Sequence, residues 1–277
     1  STIDSVTFGG SGTIHNSDSI HYAHIYGLHG NLYGGRHVVD EIIFSQNATI
    51  SGNNLIDSTY IGGAGTITGT NRINKPLIIE GKAVITGENN LDATLLMDNG
   101  EFNGTNSFRS LKCTPGNIYE FEPGKAQFVE EQLHVRGNNC FPITMRSQTE
   151  GFQSSLTVPQ NGLVTGDYLE LRDMAASGGA AFYAGNYSTD ISNNTGWLFE
   201  NAPGYIYGFE NDTTVCKADE SIIDTRNFNP DANTTFLWHD GSTGDTYVLQ
   251  PGDTMAWVQV NYGDDCTYTD TIRIGRL

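Results

Sequence analysis

Four polar residues recur at intervals of 17 or 18 positions: Asp57, Asn74, Asp92 and Arg109. Glycoside hydrolysis needs two carboxyl groups that face one cleft. If these residues stand on successive turns of stacked strands, Asp57 and Asp92 lie two strand spacings apart, about 10 Å. Inverting enzymes use about 6.5–9.5 Å. The spacing therefore favours a row of solvated side chains, and the alternative is a face that binds sugar or Ca²⁺.

Other catalytic and metal signatures are weak. Five histidines precede residue 40, but none forms an HExxH motif: His15, His21, His24, His29 and His37. They fall at different positions of the repeat described below, which favours surface or packing roles over a metal site. No GxSxG motif occurs, and Asp240–Asp245 resembles a Ca²⁺ loop without its closing glutamate, which favours a turn. We expect no catalytic residue, no metal and no cofactor.

The composition is that of an acidic β protein. The formal net charge is −18, and the chain is rich in glycine, with 33 residues. Such a charge disfavours nucleic acid and anionic lipid as partners. No apolar run is long enough to insert into a membrane. The chain begins STIDSVTF, without a signal peptide, and we expect a mature or excised piece of a secreted protein.

A repeat of 17 or 18 residues must position the polar row. Its anchors are Gly52, Gly69, Gly87 and Gly104, and it extends back through Gly34 to Asn16. Apolar residues follow four positions after each anchor: Ile20, Val38, Ile56, Ile73, Leu91 and Phe108. Others follow nine positions after it: Ile25, Ile43, Ile61, Ile78, Leu96 and Cys113. This period predicts the rungs of a β-solenoid, in which each turn buries its apolar side chains against its neighbours.

Asparagine recurs two residues after each anchor, at Asn54, Asn71, Asn89 and Asn106. Stacked amides can hydrogen-bond from turn to turn, so we predict an asparagine ladder. Sugar or ion binding is the alternative. The rungs then lengthen; Gly124 precedes Phe128 and Leu133 at the same offsets, and Trp197 is predicted to cover the end of a solenoid core that runs from about residue 5 to 199.

Residues 113–199 resemble a pattern of large secreted proteins of Bacteroidota. The matching pieces are Tyr119–Lys125, Cys140–Ser147, Gly166–Asp173, Gly178–Phe182 and Asn186–Trp197. The resemblance implies the closing rungs of a right-handed parallel β-helix. Residues 205–277 resemble the immunoglobulin-like modules that follow such helices, through Asp212–Cys216, Phe236–Ser242, Pro251–Asp253, Met255–Val260 and Asp265–Ile272. Ala256 departs from the tyrosine that is usual there.

The resemblance implies an all-β chain with a parallel β-helix over residues 1–203 and an immunoglobulin-like β-sandwich over 204–277. It also implies export by the type IX pathway and an adhesive or gliding role at the cell surface, with surface polysaccharide or other cell-surface components as partners. The alternative is a β-helix polysaccharide lyase or glycosidase, or a sugar-binding module.

Sequence alone allows three pairings of the four cysteines, and buried free thiols are the alternative. The proposed domain order favours Cys113–Cys140 and Cys216–Cys266, with Trp238 packed near the second bridge. Disulfides would fit an oxidising, extracellular compartment.

A short Asp-Ser/Thr motif resembles the O-glycosylation signal of secreted Bacteroidota proteins. Its candidate acceptors are Ser5, Ser19, Ser58, Thr213, Thr254 and Thr271. Ordinary Ser and Thr on strand edges are the alternative.

Overall fold

The computed structural model describes residues 2–15, 19–205, 207–209, 212–215, 221–230, 233–263 and 266–276. The chain divides into two compact units. The solenoid unit comprises Ser1–Arg136 and Pro142–Glu200, and the C-terminal unit comprises Gly137–Phe141 and Asn201–Leu277. The described residues form no helix whose length and hydropathy would let it cross a bilayer.

The solenoid unit is built from short strands. In chain order they are β1 (Thr2–Phe8), β2 (Gly12–His15), β3 (Ser19–Ile25), β4 (His29–Gly34), β5 (Val38–Phe44), β6 (Asn47–Gly52), β7 (Leu55–Ile61), β8 (Gly65–Gly69), β9 (Arg72–Ile73), β10 (Leu77–Ile79), β11 (Ala83–Gly87), β12 (Asn90–Leu96), β13 (Gly100–Gly104), β14 (Ser107–Cys113), β15 (Ile118–Phe121), β16 (Ala126–Arg136), β17 (Ile143–Ser147), β18 (Ser154–Thr157), β19 (Leu163–Asp167), β20 (Leu169–Arg172), β21 (Met174–Ser177), β22 (Phe182–Tyr183), β23 (Thr189–Ser192) and β24 (Trp197–Leu198).

These strands coil into a parallel β-solenoid of about 11 turns, counted over the described residues. The first sheet runs β1-β3-β5-β7-β10-β12-β14-β16-β18-β21, with β9 beside β7 and β12 and with β19 beside β16. The second sheet runs β2-β4-β6-β8-β11-β13-β15-β17-β20-β23. The predicted solenoid is therefore confirmed, because the 17-to-18-residue repeat places equivalent residues on neighbouring strands.

The anchor glycines stack in register from Gly34 to Gly104. Each has a positive φ, which is 116° at Gly87. A Cβ atom added to Gly87 would lie 2.2 Å from the carbonyl oxygen of Gly69. Glycine is needed here both for the bend and for the close approach of one turn to the next.

The buried columns confirm the apolar register, with corrections. The column expected four residues after the anchors is Ile20, Val39, Ile56, Ile73, Leu91, Phe108 and Val129. The column expected nine residues after them is Ile25, Phe44, Ile61, Ile79, Leu96, Cys113 and Val135. The predictions for Val38, Ile43, Ile78 and Phe128 were wrong in register, because those turns carry an additional residue and a one-residue shift moves a strand side chain to the opposite face. Leu133 is buried, but it lies in a neighbouring inward column opposite Leu111, and Val135 takes the expected place.

The asparagine ladder is confirmed. Asn54 Nδ2 donates to Asn71 Oδ1 at 2.7 Å, and the pattern repeats to Asn89 at 2.9 Å and to Asn106 at 2.8 Å. All four side chains are buried. Gln127, which the sequence did not indicate, continues the ladder by accepting from Asn106 Nδ2 at 2.9 Å. The ladder satisfies amides that would otherwise be costly to bury.

Trp197 belongs to the solenoid core, and its role as a cover for the end of that core stays a prediction. Its ring packs edge-on against Phe182, with centroids 5.1 Å apart, and both residues are buried. The strands that carry them, β22 and β24, pair with each other.

The C-terminal unit contains β25 (Thr213–Val215), β26 (Ile222–Asp224), a 3₁₀ turn (Arg226–Phe228), β27 (Thr235–Trp238), β28 (Thr246–Val248), β29 (Met255–Gly263) and β30 (Cys266–Arg276). One sheet has the order β25-β30-β29-β27, and β26 pairs with β28 in a second. Pairing is antiparallel except between β25 and β30. Trp238 is buried and stacks on Tyr247.

The predicted cysteine pairings were wrong. Cys140 bonds to Cys266, with Cα atoms 6.0 Å apart, and Cys113 is a buried free thiol. Cys113 occupies an inward position of a core column, where it replaces an aliphatic residue, and burial raises the pKa of its thiol. Cys140 lies in the excursion Gly137–Phe141, which belongs to the C-terminal unit. Cys216, the predicted partner of Cys266, lies outside the described residues.

Candidate functional site

A groove on the outer side of the first sheet collects three residues of the predicted polar row. Strands β9, β12, β14 and β16 contribute to it, and its volume is about 390 Å³. This polar groove is lined by the side chains of Arg72, Asn74, Asn90, Asp92, Arg109 and Glu130, above the buried Ile73 and Leu91. Asp57 is not part of the lining; it forms an ion pair with Lys75.

The groove lies where the regular rungs meet the longer ones. The pairing of β14 with β16 shifts between Phe108 and Ser110, so β16 holds an additional residue at that point. Glu130 and Glu131 consequently both face solvent between the buried Val129 and Leu133. Bulges of this kind re-aim side chains and are frequent beside functional sites.

Arg109 is the central cation of the polar groove. Its Nε binds the Asp92 carboxylate, and its Nη1 donates to Glu131 Oε2 at 2.8 Å. These two acids raise the pKa of the guanidinium above its usual value, and Asp92 has the larger effect. Arg72 Nε donates to Asn74 Oδ1 at 3.0 Å. The arrangement presents guanidinium, amide and carboxylate groups in fixed positions, which is the chemistry that recognises hydroxyl groups.

An exposed aromatic ring lies beside the polar groove. Phe128 is 41% exposed and lines a neighbouring depression of about 310 Å³, which shares Glu130 with the polar groove. Pro159 and Thr157 lie on the same depression. Sequence reasoning missed Phe128 as a surface residue because it assigned the ring to the core. The sequence carries no clear signal for this, because Phe128 and Val129 are both apolar and only the structure shows which of them faces inward.

A second groove, the apolar groove, shares strands β12, β14 and β16 with the polar groove and also includes β10. It has a volume of about 440 Å³ and is lined by Pro76, Ile78, Ala93, Leu95, Lys112 and His134, with other residues of the same turns. Burial lowers the pKa of His134 to about 4, and Arg136 and Lys112 add to the effect. The His134 ring nitrogen Nδ1 lies 3.0 Å from Thr165 Oγ1. The apolar groove therefore offers aliphatic surface with one cation at its edge.

The five early histidines are distributed over the surface and the turns. His21 lies 2.5 Å from Asp40, whose hydrogen bond raises the histidine pKa. His24 stacks on Tyr26 with centroids 3.7 Å apart, and His15 stacks on Tyr33. His37 is buried against the Tyr33 carbonyl oxygen. Over the described residues, no three His, Cys, Asp or Glu side chains are grouped so that they could hold a metal ion.

The remaining predicted residues are separate from both grooves. Asp240 accepts hydrogen bonds from Ser242 N and Oγ, at 2.9 and 2.7 Å, in a tight turn after β27.

Among the candidate acceptors of glycans, Ser5, Thr254 and Thr271 are exposed and Ser19 and Ser58 are half-buried. The side chain of Thr213 lies outside what the structure describes. Glycosylation stays a prediction.

Searches with the chain find no matching protein-family model, no matching curated protein and no matching solved structure.

Proposed function

We propose that the chain is an extracellular, non-catalytic adhesive module that attaches to polysaccharide through the polar groove. In this proposal the solenoid is a right-handed parallel β-helix, the C-terminal unit is an immunoglobulin-like module, and the protein is exported to the cell surface for attachment or gliding. The observation that carries the proposal is the polar groove itself, with Phe128 beside it.

The groove suits a polysaccharide because a sugar ring has both hydroxyl groups and an apolar face. The side chains of Arg72, Asn74 and Asn90 supply donors and acceptors for hydroxyl groups. Phe128 supplies an exposed ring against which a C–H face can pack. Since the lining comes from successive turns, the groove follows the stack of strands and can accept a ligand longer than one sugar.

The pairing of charges favours binding over catalysis. Arg109 holds Asp92 and also binds Glu131, so its guanidinium lies between these two acids. Glycoside hydrolysis uses two carboxyl groups that flank the scissile bond, whereas here both acids are held by the same guanidinium. An exposed location outside the cell fits the disulfide, because disulfides persist in oxidising compartments.

Affinity electrophoresis in gels that contain single soluble polysaccharides tests the proposal. The wild type should be retarded by at least one polysaccharide, and the double variant Arg72→Ala/Asn90→Ala should migrate without retardation. Arg226→Ala is the matched control, because Arg226 is an exposed cation of the C-terminal unit that pairs with Asp224. Equal migration of the wild type with and without every polysaccharide would contradict the proposal.

The second candidate is a carbohydrate-active enzyme. It is favoured by one observation, which is that the polar groove contains two acids, Asp92 and Glu130, together with two arginines. An enzyme would release new reducing ends or unsaturated sugars from a polysaccharide, and Asp92→Asn would abolish this release. The adhesive proposal expects neither product from the wild type over prolonged incubation.

A further inference from the structure

Phe152 is an exposed aromatic residue on a tight turn, and it does not line the polar groove. It is 66% exposed. The turn is closed by a hydrogen bond from Phe152 N–H to the Thr149 carbonyl oxygen at 3.2 Å, and Gly151 has a φ of 82°. The turn connects β17 of the second sheet to β18 of the first, so it lies at an edge between the sheets. A ring in this position is presented to solvent on a short, hydrogen-bonded loop.

A buried carboxylate holds the turn in place through a hydrogen bond. Asp173 is 1% exposed; its Oδ2 accepts from Gly151 N–H at 3.0 Å, and its Oδ1 accepts from Asn193 Nδ2 at 2.6 Å. Asp173 and Asn193 both have positive φ values, of 57° and 53°. Backbone strain and a buried acid are unfavourable, and such features persist where the surrounding structure fixes them, often at binding sites. Here they fix the turn that carries Phe152.

The surroundings of Phe152 combine apolar and polar groups. The ring, Pro123, Gly124, Thr149 and Gln153 line a depression of about 430 Å³. Gln153 Nε2 donates to the Asn193 carbonyl oxygen at 2.7 Å, which holds this side chain in place. An aromatic face with hydroxyl and amide groups beside it matches the two sides of a sugar ring.

We propose that Phe152 forms a second carbohydrate subsite, in which its ring packs against the C–H face of one sugar while Thr149 and Gln153 bind its hydroxyl groups. This inference rests on the proposed function and deepens it, because it assigns a second contact for the same class of ligand. A polysaccharide long enough to reach both sites would be held at two points, and its apparent affinity would rise through the effective concentration of the second contact.

Isothermal titration tests this with the polysaccharide that retards the wild type. Phe152→Ala should weaken binding about 3- to 10-fold, from the loss of one aromatic contact. Phe152→Trp should bind at least as tightly as the wild type, because it restores a stacking ring. Leu28→Ala is the control; Leu28 is 77% exposed and lies on a different turn. Unchanged thermal unfolding of Phe152→Ala would show that the loss comes from binding.

The outcomes separate the two proposals. If Phe152→Ala binds as tightly as the wild type while Arg72→Ala/Asn90→Ala loses binding, the second subsite is overturned and the polar groove stands. Protein docking would then be the remaining use of the exposed ring. If the wild type binds no polysaccharide, the proposed function is overturned and the subsite with it.

Discussion

The regular rungs, residues 47–113, and the longer rungs, residues 114–199, build the same buried columns by different means. In the regular rungs, stacked glycines and the asparagine ladder repeat at every turn. In the longer rungs the columns continue through Val129 and Val135, but the turns carry the excursion Gly137–Phe141 and the turn that presents Phe152. Repetition stabilises the stack, whereas the insertions supply the excursion that belongs to the C-terminal unit and the turn that carries Phe152.

A matched pair of glycine substitutions should show the largest difference between the two regions. Gly87→Ala places a methyl group against the Gly69 carbonyl oxygen, so we expect a loss of about 4 kcal/mol from the free energy of unfolding. Gly151→Ala meets no atom within 4 Å, and only its positive φ opposes the change, by about 1 kcal/mol. Denaturant unfolding measures both. Equal losses of stability in Gly87→Ala and Gly151→Ala would contradict the claim that the regular rungs depend on close glycine contacts.

The asparagine ladder offers a second matched pair. Asn89→Ala removes the acceptor of Asn71 Nδ2 and a donor to Asn106 Oδ1, and it leaves buried amides unsatisfied. We expect a loss of about 3 kcal/mol. Asn90 is the adjacent, exposed residue, and Asn90→Ala should change stability by less than about 0.5 kcal/mol. A small effect at Asn89 would mean that the ladder contributes little to the stack.

Removal of the Cys140–Cys266 bridge should destabilise the C-terminal unit and leave the solenoid unchanged. Both cysteines belong to the C-terminal unit, and a disulfide typically contributes about 2–4 kcal/mol. Fluorescence of Trp238 and Trp257 reports on this unit, and Trp197 reports on the solenoid. The variant Cys140→Ser/Cys266→Ser should lower only the C-terminal transition. The control Cys113→Val should not change the unfolding transition of the C-terminal unit. A shift of that transition in the control would contradict the assignment of the bridge.

His134 should give the smallest effect, which depends on pH. Its pKa of about 4 lies below the usual 6.5, so the unfolded state takes up the proton first as the pH falls. The contribution of the neutral His134 to the free energy of unfolding is therefore fully present above pH 6.5 and is lost as the pH falls toward 4. The shift sets an upper limit of about 3 kcal/mol, and partial exposure reduces the expected loss to about 1–2 kcal/mol.

The comparison with His134→Gln isolates this effect from the other titrating groups. Stability should fall by the expected amount more in the wild type than in the variant between pH 6.5 and pH 4. Parallel pH profiles for the two proteins would show that His134 is not the group responsible.

The sequence predicted the regular rungs well because each of their features repeats. Gly87 and Asn89 have counterparts one turn away on both sides, so chance similarity is improbable and the register follows. The register failed at Val38 and Phe128, where one additional residue shifts the strand. Periodicity does not indicate how a turn absorbs such a residue.

The polar row that the sequence predicts supplies only part of the lining of the polar groove. Asn74, Asp92 and Arg109 repeat along the chain and were found, whereas Glu130 joins them at a local bulge and Phe128 lies beside them on a longer rung. The Cys140–Cys266 pairing depends on a short segment, Gly137–Phe141, that interrupts the solenoid and belongs to the C-terminal unit. Contacts of that kind come from tertiary structure and leave no periodic signal in the sequence.

Hydroxyl-radical footprinting with the bound polysaccharide tests the central claim most directly, because it measures which side chains the ligand covers. Phe128 beside the polar groove should be oxidised several-fold more slowly when the polysaccharide is present. Leu28 in the solenoid and Ile222 in the C-terminal unit are both exposed and lie away from the groove, so their oxidation should not change. Unchanged oxidation of Phe128 under saturating polysaccharide would contradict the claim that this face of the solenoid is the binding site.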